Sequence, residues 1–255
     1  MWSVLRRIHS VLYSCGIDIR KFFLAIAGAP QFVWNLGKFV ALKDGRGTLV
    51  LCPMLSDRFS NSGVARGHYF HVDLWAAKFV YRLGPHRLVD VGSRVDGFIS
   101  HILVFREVVV VDIRQLKVDV PGLHFVQADV MAKDFPLVDY ADCVSSLHAL
   151  EHLGLGRYGD PVDPDGWKKG FENITGVLKV GGTLLLAVPV GRERVEFDAH
   201  RVFDPNTIAQ YADSIGLRLT EFSYVGDDGL YYGSGGLVDA SKLTYGCGCF
   251  AFIKS

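Results

Sequence analysis

Residues 148–152 read His-Ala-Leu-Glu-His. On a helix this H-x-x-E-H spacing puts His148, Glu151 and His152 on one face. Two imidazoles there can share a zinc ion, with the carboxylate as base. The same residues also suit the mouth of a strand–loop–helix joint in a nucleotide-binding sheet. The residues after the segment separate the two readings, because "GLGRYGDP" ends any helix almost at once and no third protein ligand is evident. Neither histidine is therefore expected to ligate a metal. His148 is expected to line a pocket and act as a general base. Glu151 is expected to face that pocket or to favour the helix N-terminus by its charge, and His152 to pack beneath the loop.

A second set of candidates lies at the ends of apolar runs. "LVDVGSRVDGF" ends a strand in an acidic residue and a glycine turn, an arrangement that lets a cofactor approach backbone and helix N-terminus. Its candidates are Asp90, Gly92, Ser93 and Arg94. The next run, "EVVVVDI", ends at Asp112, which can accept hydrogen bonds from ribose hydroxyls. In "LHFVQADV", Asp129 can accept from an adenine amino group while Val130 presents its N–H. Two loops should overhang the same sheet end. "GLGRYGDPVDPDG" (154–166) reads as a shaped lid carrying Tyr158 and Asp160. "GRERVEFDAHRVFDP" (191–205) gathers Arg192, Arg194, Glu196, His200 and Arg201. Such a run is either solvated charge or an acceptor site, with arginines for a phosphate or carboxylate and His200 as a competing base.

Elements to position these residues are set by the hydrophobic pattern. After Gly84-Pro85, Val/Leu/Ile runs at 87–92, 107–113, 123–130, 140–146 and 182–190 alternate with helical segments near 96–105, 166–178 and 205–215. Buried strands between helices imply a mostly parallel sheet covered on both faces. Earlier in the chain, "TLVLCP" (48–53) reads as a short strand and 69–83 as a helix.

The formal net charge is zero, so no global field attracts nucleic acid. Residues 1–46 carry seven Arg/Lys against Asp18 and Asp44, a local excess of five. Trp2, Leu5, Ile8 and Leu12 fall at helical spacing, and 22–42 is apolar but interrupted by Pro30, Gln31, Asn35 and Lys38. That pattern argues against a membrane span and for a basic amphipathic helical extension. The extension either lies on an anionic membrane surface, placing the protein at the inner membrane face, or packs on the domain at 47–255. Five scattered cysteines suit reduced thiols in a cytoplasmic setting, with Cys247 and Cys249 as buried strand residues.

Across about residues 67–253 the sequence resembles the class I S-adenosylmethionine-dependent methyltransferases. "HALEH" sits where many of them carry H-x-L-E-H, and "VLKVGGTLLLAVP" looks like their helix, Gly-Gly turn and fifth strand. More narrowly, the strings "GHYFHVDLWAAK", "VDVGSRVDGF", "HALEHLGLGRYGDPVDPDGW" and "VPVGRERVEFDAHRVF" resemble a methyltransferase-like family classed as a domain of unknown function. The resemblance implies a Rossmann-like α/β fold with a seven-stranded, mostly parallel sheet and S-adenosylmethionine as cofactor. It also implies polysaccharide biosynthesis, with O-methylation of a sugar, glycolipid precursor or other small polar acceptor. The chain departs from the family pattern acidic-x-Gly-x-Gly-x-Gly, because Arg94 and Asp96 stand where glycines are usual. Arg94 either meets the cofactor's carboxylate or pairs with Asp96 on the surface. The departure keeps open a non-catalytic binding or scaffold protein on the same fold, and the zinc-hydrolase reading of "HALEH" stands third.

Overall fold

The computed structural model describes residues 16–42, 47–117 and 119–255. The expected helix over Trp2–Leu12 lies outside the described residues. The chain forms two compact units, one up to Val64 and one from Ala65 to Ser255, so 47–64 goes with the N-terminal unit.

In the first unit, α1 (Ile19–Leu42) is a continuous helix with Pro30 inside it. It exposes Phe22, Phe23, Ile26, Val33 and Trp34. Gly28 is its buried position, and a Cβ there would lie 1.8 Å from the Leu55 carbonyl oxygen. Glycine thus lets the 49–55 segment lie against the helix. The expected strand at 48–53 is not formed, and Leu49, Val50 and Leu51 are exposed without a ladder partner. These residues border a groove beside α1 while staying exposed, and Leu55, just beyond the run, meets the helix at Gly28, an arrangement that a strand-like run does not distinguish from a sheet. No helix among the described residues is long and apolar enough to cross a membrane.

In the second unit, α2 (His68–Leu83) buries Val72, Trp75, Ala76 and Val80, the spacing of one helical face. Gly84 ends it in the left-handed conformation, donating its N–H to Val80 O at 2.9 Å. Five strands then pair in parallel in the order β3 (Leu123–Gln127), β2 (Val108–Asp112), β1 (Leu88–Val91), β4 (Ala141–Leu147), β5 (Leu178–Val190). On the far side of β5, the antiparallel strands β10 (Gly246–Lys254), β8 (Leu217–Val225) and β9 (Tyr231–Tyr232) complete an eight-stranded sheet. The eighth strand is the two-residue β9, which is why a seven-strand expectation falls one short. The 191–205 segment, expected as an open loop, holds a small ribbon of β6 (Arg194–Glu196) and β7 (His200–Val202).

Helices α3 (Gly166–Val177) and α4 (Pro205–Ser214) contribute Phe171, Ile174 and Ile208 to the core on one sheet face. The opposite face carries α2 and the helical turns over 95–102, with Phe98 and Ile102 fully buried. Asp204 caps α4 by accepting from Asn206 N at 2.8 Å, and Pro205 fills its first turn. Strand order reverses between β1 and β4, and that reversal opens a crevice at their carboxyl ends.

Candidate functional site

A cavity of about 330 Å³ occupies this crevice. It is large enough for a small-molecule ligand or cofactor. It is built from consecutive strand ends. β1 ends at Val91, and Gly92 turns away with φ +74°, its N–H donating to Val111 O at 2.9 Å. A Cβ at Gly92 would lie 2.8 Å from Ala149 Cβ, so only glycine leaves this wall open. Asp112 and Arg114 enter from the end of β2, and Ala128, Asp129 and Val130 come after β3. His148 and Ala149 come after β4, while Ile174 of α3 supplies apolar wall.

Asp90 and Ser93 stand apart from this lining and form a buried brace. The Asp90 carboxylate accepts from Ser93 N at 3.0 Å, Ser93 Oγ at 2.6 Å and Ser145 Oγ at 2.7 Å. Ser93 Oγ in turn accepts from Leu147 N at 3.0 Å. The brace ties the Gly92 turn to β4, so Asp90 positions the loop and does not itself face the cavity. Burial pushes the Asp90 carboxyl up to about 6, against the lowering effect of its serine hydrogen bonds.

Asp112 does face the cavity, but its carboxylate is already held. Arg114 donates its backbone N–H at 2.8 Å, Nε at 3.0 Å and an Nη at 2.7 Å. The same guanidinium lies 4.4 Å from the centre of the Tyr158 ring. One Asp129 oxygen accepts from Met131 N at 2.8 Å, and Val130 is pinned through its carbonyl by Asn173 Nδ2 at 2.8 Å. Arg94 lines the cavity while pairing with Asp96 at 2.6 Å and covering the Tyr69 ring at 4.8 Å. The Arg94–Asp96 surface pair therefore forms, and the backbone at Gly97 still passes tightly under Asp73.

At the other end of the cavity sits His148, which adopts φ +57° as it leaves β4. A non-glycine residue held there is strained, and such strain clusters at functional positions. His148 Nδ1 donates to Glu151 Oε1 at 2.9 Å, and both side chains are buried. With Nδ1 protonated by this contact, Nε2 keeps its lone pair. It lies 3.4 Å from Cys247 Sγ. Burial acts to raise the Glu151 carboxyl, but the His148 hydrogen bond and the nearby imidazoles outweigh it and hold the group low. Glu151 Oε2 is buried without a hydrogen-bond partner. Glu151 is therefore a support behind His148 and does not line the cavity.

The "HALEH" segment forms a single 3-10 turn over Leu150–His152. His152 borders the cavity, but its Nδ1 donates to Ala199 O at 2.7 Å, which locks it beneath the β6–β7 ribbon. The lid keeps its shape through Asp160, whose carboxylate accepts from Gly154 N, Gly156 N and Tyr158 N at 2.8, 3.2 and 3.1 Å. Tyr158 and Asp160 both line the cavity, Tyr158 beneath the Arg114 and Arg157 guanidinium groups and Asp160 as the brace.

The arginines of 191–205 stay apart from the cavity. Arg201 is buried and donates to the carbonyls of Leu153 at 2.6 Å and Pro164 at 3.3 Å, stapling the ribbon to the lid. Arg194 is spent on Glu196 and the Thr244 carbonyl, and Arg192 is exposed. Close range explains this: carbonyls left bare by irregular loops are the nearest acceptors. His200 packs against Tyr245 at 5.1 Å, outside the lining, and burial lowers its pKa.

Four contributors escaped the reading of the sequence: His68, Tyr69, Arg114 and Cys247. His68 stacks on His148 at 5.3 Å with planes 2° apart, and Tyr69 lies 5.0 Å from the same ring. A Gly-His-Tyr start to a helix otherwise apolar on one face was the available signal, since polar aromatics there gain nothing from the core.

No curated protein sequence matches the chain. Solved structures similar to it include the cyclase SpnF, with a TM-score of 0.54 and 14% identity over 76% of this chain and 85% of that one. Another is the 1,6-didemethyltoxoflavin-N1-methyltransferase of Burkholderia thailandensis with bound S-adenosylhomocysteine, at TM-score 0.50 and 13% identity over 94% and 91% of the two chains. A third is the YcgJ protein of Bacillus subtilis, at TM-score 0.51 and 14% identity over 72% and 98%. Residues 105–215 match the family described as "Caenorhabditis protein of unknown function, DUF268". Over residues 105–215 the chain thus resembles this domain-of-unknown-function family, and its fold is similar to those of the solved structures named above.

Proposed function

We propose that the protein is an S-adenosylmethionine-dependent methyltransferase acting on an oxygen of a sugar, glycolipid precursor or other small polar acceptor. The observation that carries this reading is the cavity itself: Gly92, Asp112 and Asp129, at the ends of three successive strands, converge on it. A cofactor cradle fits there. A Cβ at Gly92 would close it, and Asp112 offers the carboxylate that a ribose diol needs. Asp129 and Val130 would meet the base, and the Arg94 side of the loop would meet the amino-acid end. When bound, S-adenosylmethionine supplies an electrophilic methyl group.

The chain's own task is to handle the acceptor's proton. His148, held by Glu151, keeps Nε2 able to take a proton from an acceptor hydroxyl, and the imidazolium so formed is stabilised by the Glu151 carboxylate. His200 is the weaker candidate for this role because it sits outside the cavity lining. Tyr69 and Tyr158 line the cavity and would meet an acceptor there, while Arg192 is left with its charge in solvent.

A second reading, a non-catalytic binding protein on the same fold, is favoured by one feature: Arg114 occupies the carboxylate that the ribose requires. SpnF is a cyclase, so the fold alone does not choose the reaction. Isothermal titration with S-adenosylmethionine and S-adenosylhomocysteine tests the reading. Saturable one-to-one binding of both, lost on Gly92→Val, is expected. A folded protein that binds neither would leave the scaffold reading standing.

A further inference from the structure

The spacing in "HALEH" offers His152 as the partner of His148 around a metal, but the folded chain offers a different set. His68 opens α2, His148 leaves β4, and Cys247 lies near the start of β10. One ligand atom from each lies within 4.8 Å of the others. His152 is outside this group, its Nδ1 committed to a backbone carbonyl.

We propose that His68, His148 and Cys247 form a zinc site at the acceptor end of the cavity. Two imidazoles and one thiolate are the donor types that zinc takes in tetrahedral sites. Bond lengths of ~2.0 Å to nitrogen and ~2.3 Å to sulfur imply a nitrogen–sulfur edge of about 3.5 Å in such a tetrahedron. The His148 Nε2 to Cys247 Sγ distance, 3.4 Å, already matches that edge. The third corner needs the His68 ring to turn out of its stack on His148, bringing its nitrogen from within 4.8 Å to a nitrogen–nitrogen edge of about 3.3 Å.

The surroundings have the form expected around a metal-bound histidine. Such a histidine usually gives its other ring N–H to a carboxylate or carbonyl. His148 gives Nδ1–H to Glu151. Glu151 is otherwise costly: a fully buried carboxylate with one oxygen unpartnered. A dication balanced by the thiolate and by Glu151 accounts for that negative charge. Burial keeps Cys247 a thiol until an ion displaces its proton.

Three protein ligands leave one position for water or a substrate oxygen. His148 also lines the cavity, so this position adjoins the space available to an acceptor. If the methyl-transfer reading holds, the ion would acidify the acceptor hydroxyl in place of a free His148. The metal site itself does not rest on that reading.

The test needs no activity. Full-length protein is stripped with a chelator and titrated with zinc, then separately with cobalt(II), whose thiolate charge-transfer absorption reports the cysteine ligand. One zinc per chain and a clear thiolate band are expected. His68→Gln and Cys247→Ser should each weaken zinc binding at least 100-fold, and Cys247→Ser should abolish the band. Glu151→Gln should weaken binding by about 10–100-fold as a supporting partner. Cys249→Ser and His152→Ala should keep both zinc and band. His68→Gln is the control for folding, since His68 is partly exposed and near-ultraviolet dichroism should stay unchanged. Zinc uptake equal in wild type and His68→Gln, or a cobalt band that survives Cys247→Ser, would overturn the site. Cofactor titration on the same stripped protein fails or succeeds independently, so loss of the methyltransferase reading would be seen separately.

Discussion

The Asp112–Arg114 fork makes a two-sided prediction about cofactor affinity. A carboxylate has about four acceptor positions, and Arg114 takes three of them with its backbone N–H, Nε and Nη. A ribose diol must therefore displace at least one guanidinium bond. The hydrogen bonds gained to a charged acceptor contribute about 1.5–3 kcal/mol. The pair displaced is cheap to open, because the Arg114 side chain is 53% exposed, and such pairs contribute about 0–1 kcal/mol. Asp112→Asn should thus weaken S-adenosylhomocysteine binding by roughly 10–100-fold, taking 1.4 kcal/mol per tenfold. Arg114→Ala should leave affinity unchanged or tighten it by up to about fivefold, by freeing the acceptor. In the double variant the Arg114→Ala gain should vanish, a coupling that calorimetry of the four proteins reads directly. Unchanged affinity in a folded Asp112→Asn protein would refute the ribose assignment. A loss of more than about tenfold in Arg114→Ala would show instead that Arg114 is itself a ligand contact.

Four further outcomes are expected. Asp90 has its carboxyl raised to about 6 from an unfolded value near 3.8, so its contribution to stability is full below pH ~3.8 and lost as pH rises through 6. Relative to Asp90→Asn, wild type should lose on the order of 3 kcal/mol between pH 4 and 7 in denaturant melts, and a flat difference would refute the assignment. Gly154→Ala puts a Cβ 2.0 Å from the Asp163 carbonyl oxygen at a residue with φ +78°, so thermal melts should show a loss of more than about 1 kcal/mol. His148→Ala should slow turnover by about 10²–10⁴-fold and also lower Tm, because it leaves the buried Glu151 carboxylate without its partner, while His152→Ala, which breaks the bond to Ala199, should lower Tm and spare turnover. We also propose that residues 1–46 dock on anionic membranes. Wild type should then pellet with phosphatidylserine vesicles and be released by salt, and a truncated protein that still pellets would refute it.

Much of the fold was legible because strand and helix signals here are local. Runs such as "EVVVVDI" read as buried strands whatever lies beside them, and the acidic residues ending them fell on one side of the sheet. Residues 48–53 misled for the same reason: an apolar run looks alike whether it enters a ladder or lies against a helix, and only the partner decides. Asp90 shows a subtler limit. An acid at a strand end has the composition of a ligand contact, yet Ser93 and Ser145 enclose it, and the second serine comes from another strand. The arginines of 191–205 are similar, since carbonyls exposed by the lid, invisible in sequence, claim Arg201 before any substrate can.

The histidine segment shows most fully how distant residues decide a local motif. Its spacing proposed a local chemistry through His152, and local structure defeats it, because the helix that would align the two imidazoles is a single 3-10 turn. What remains is His148 fixed by Glu151 and turned, in a left-handed backbone conformation, toward residues remote in sequence. His68 and Cys247 reach it only because α2 packs on the sheet face to which β10 contributes Cys247, beside Leu147 and Ala187. Fixing an imidazole this firmly costs backbone strain and the burial of a carboxylate, and nothing in the packing of the core requires either. A role as proton acceptor or metal ligand accounts for both. The same expense would gain a scaffold protein nothing, which is why His148, more than the cavity around it, argues for chemistry at this site.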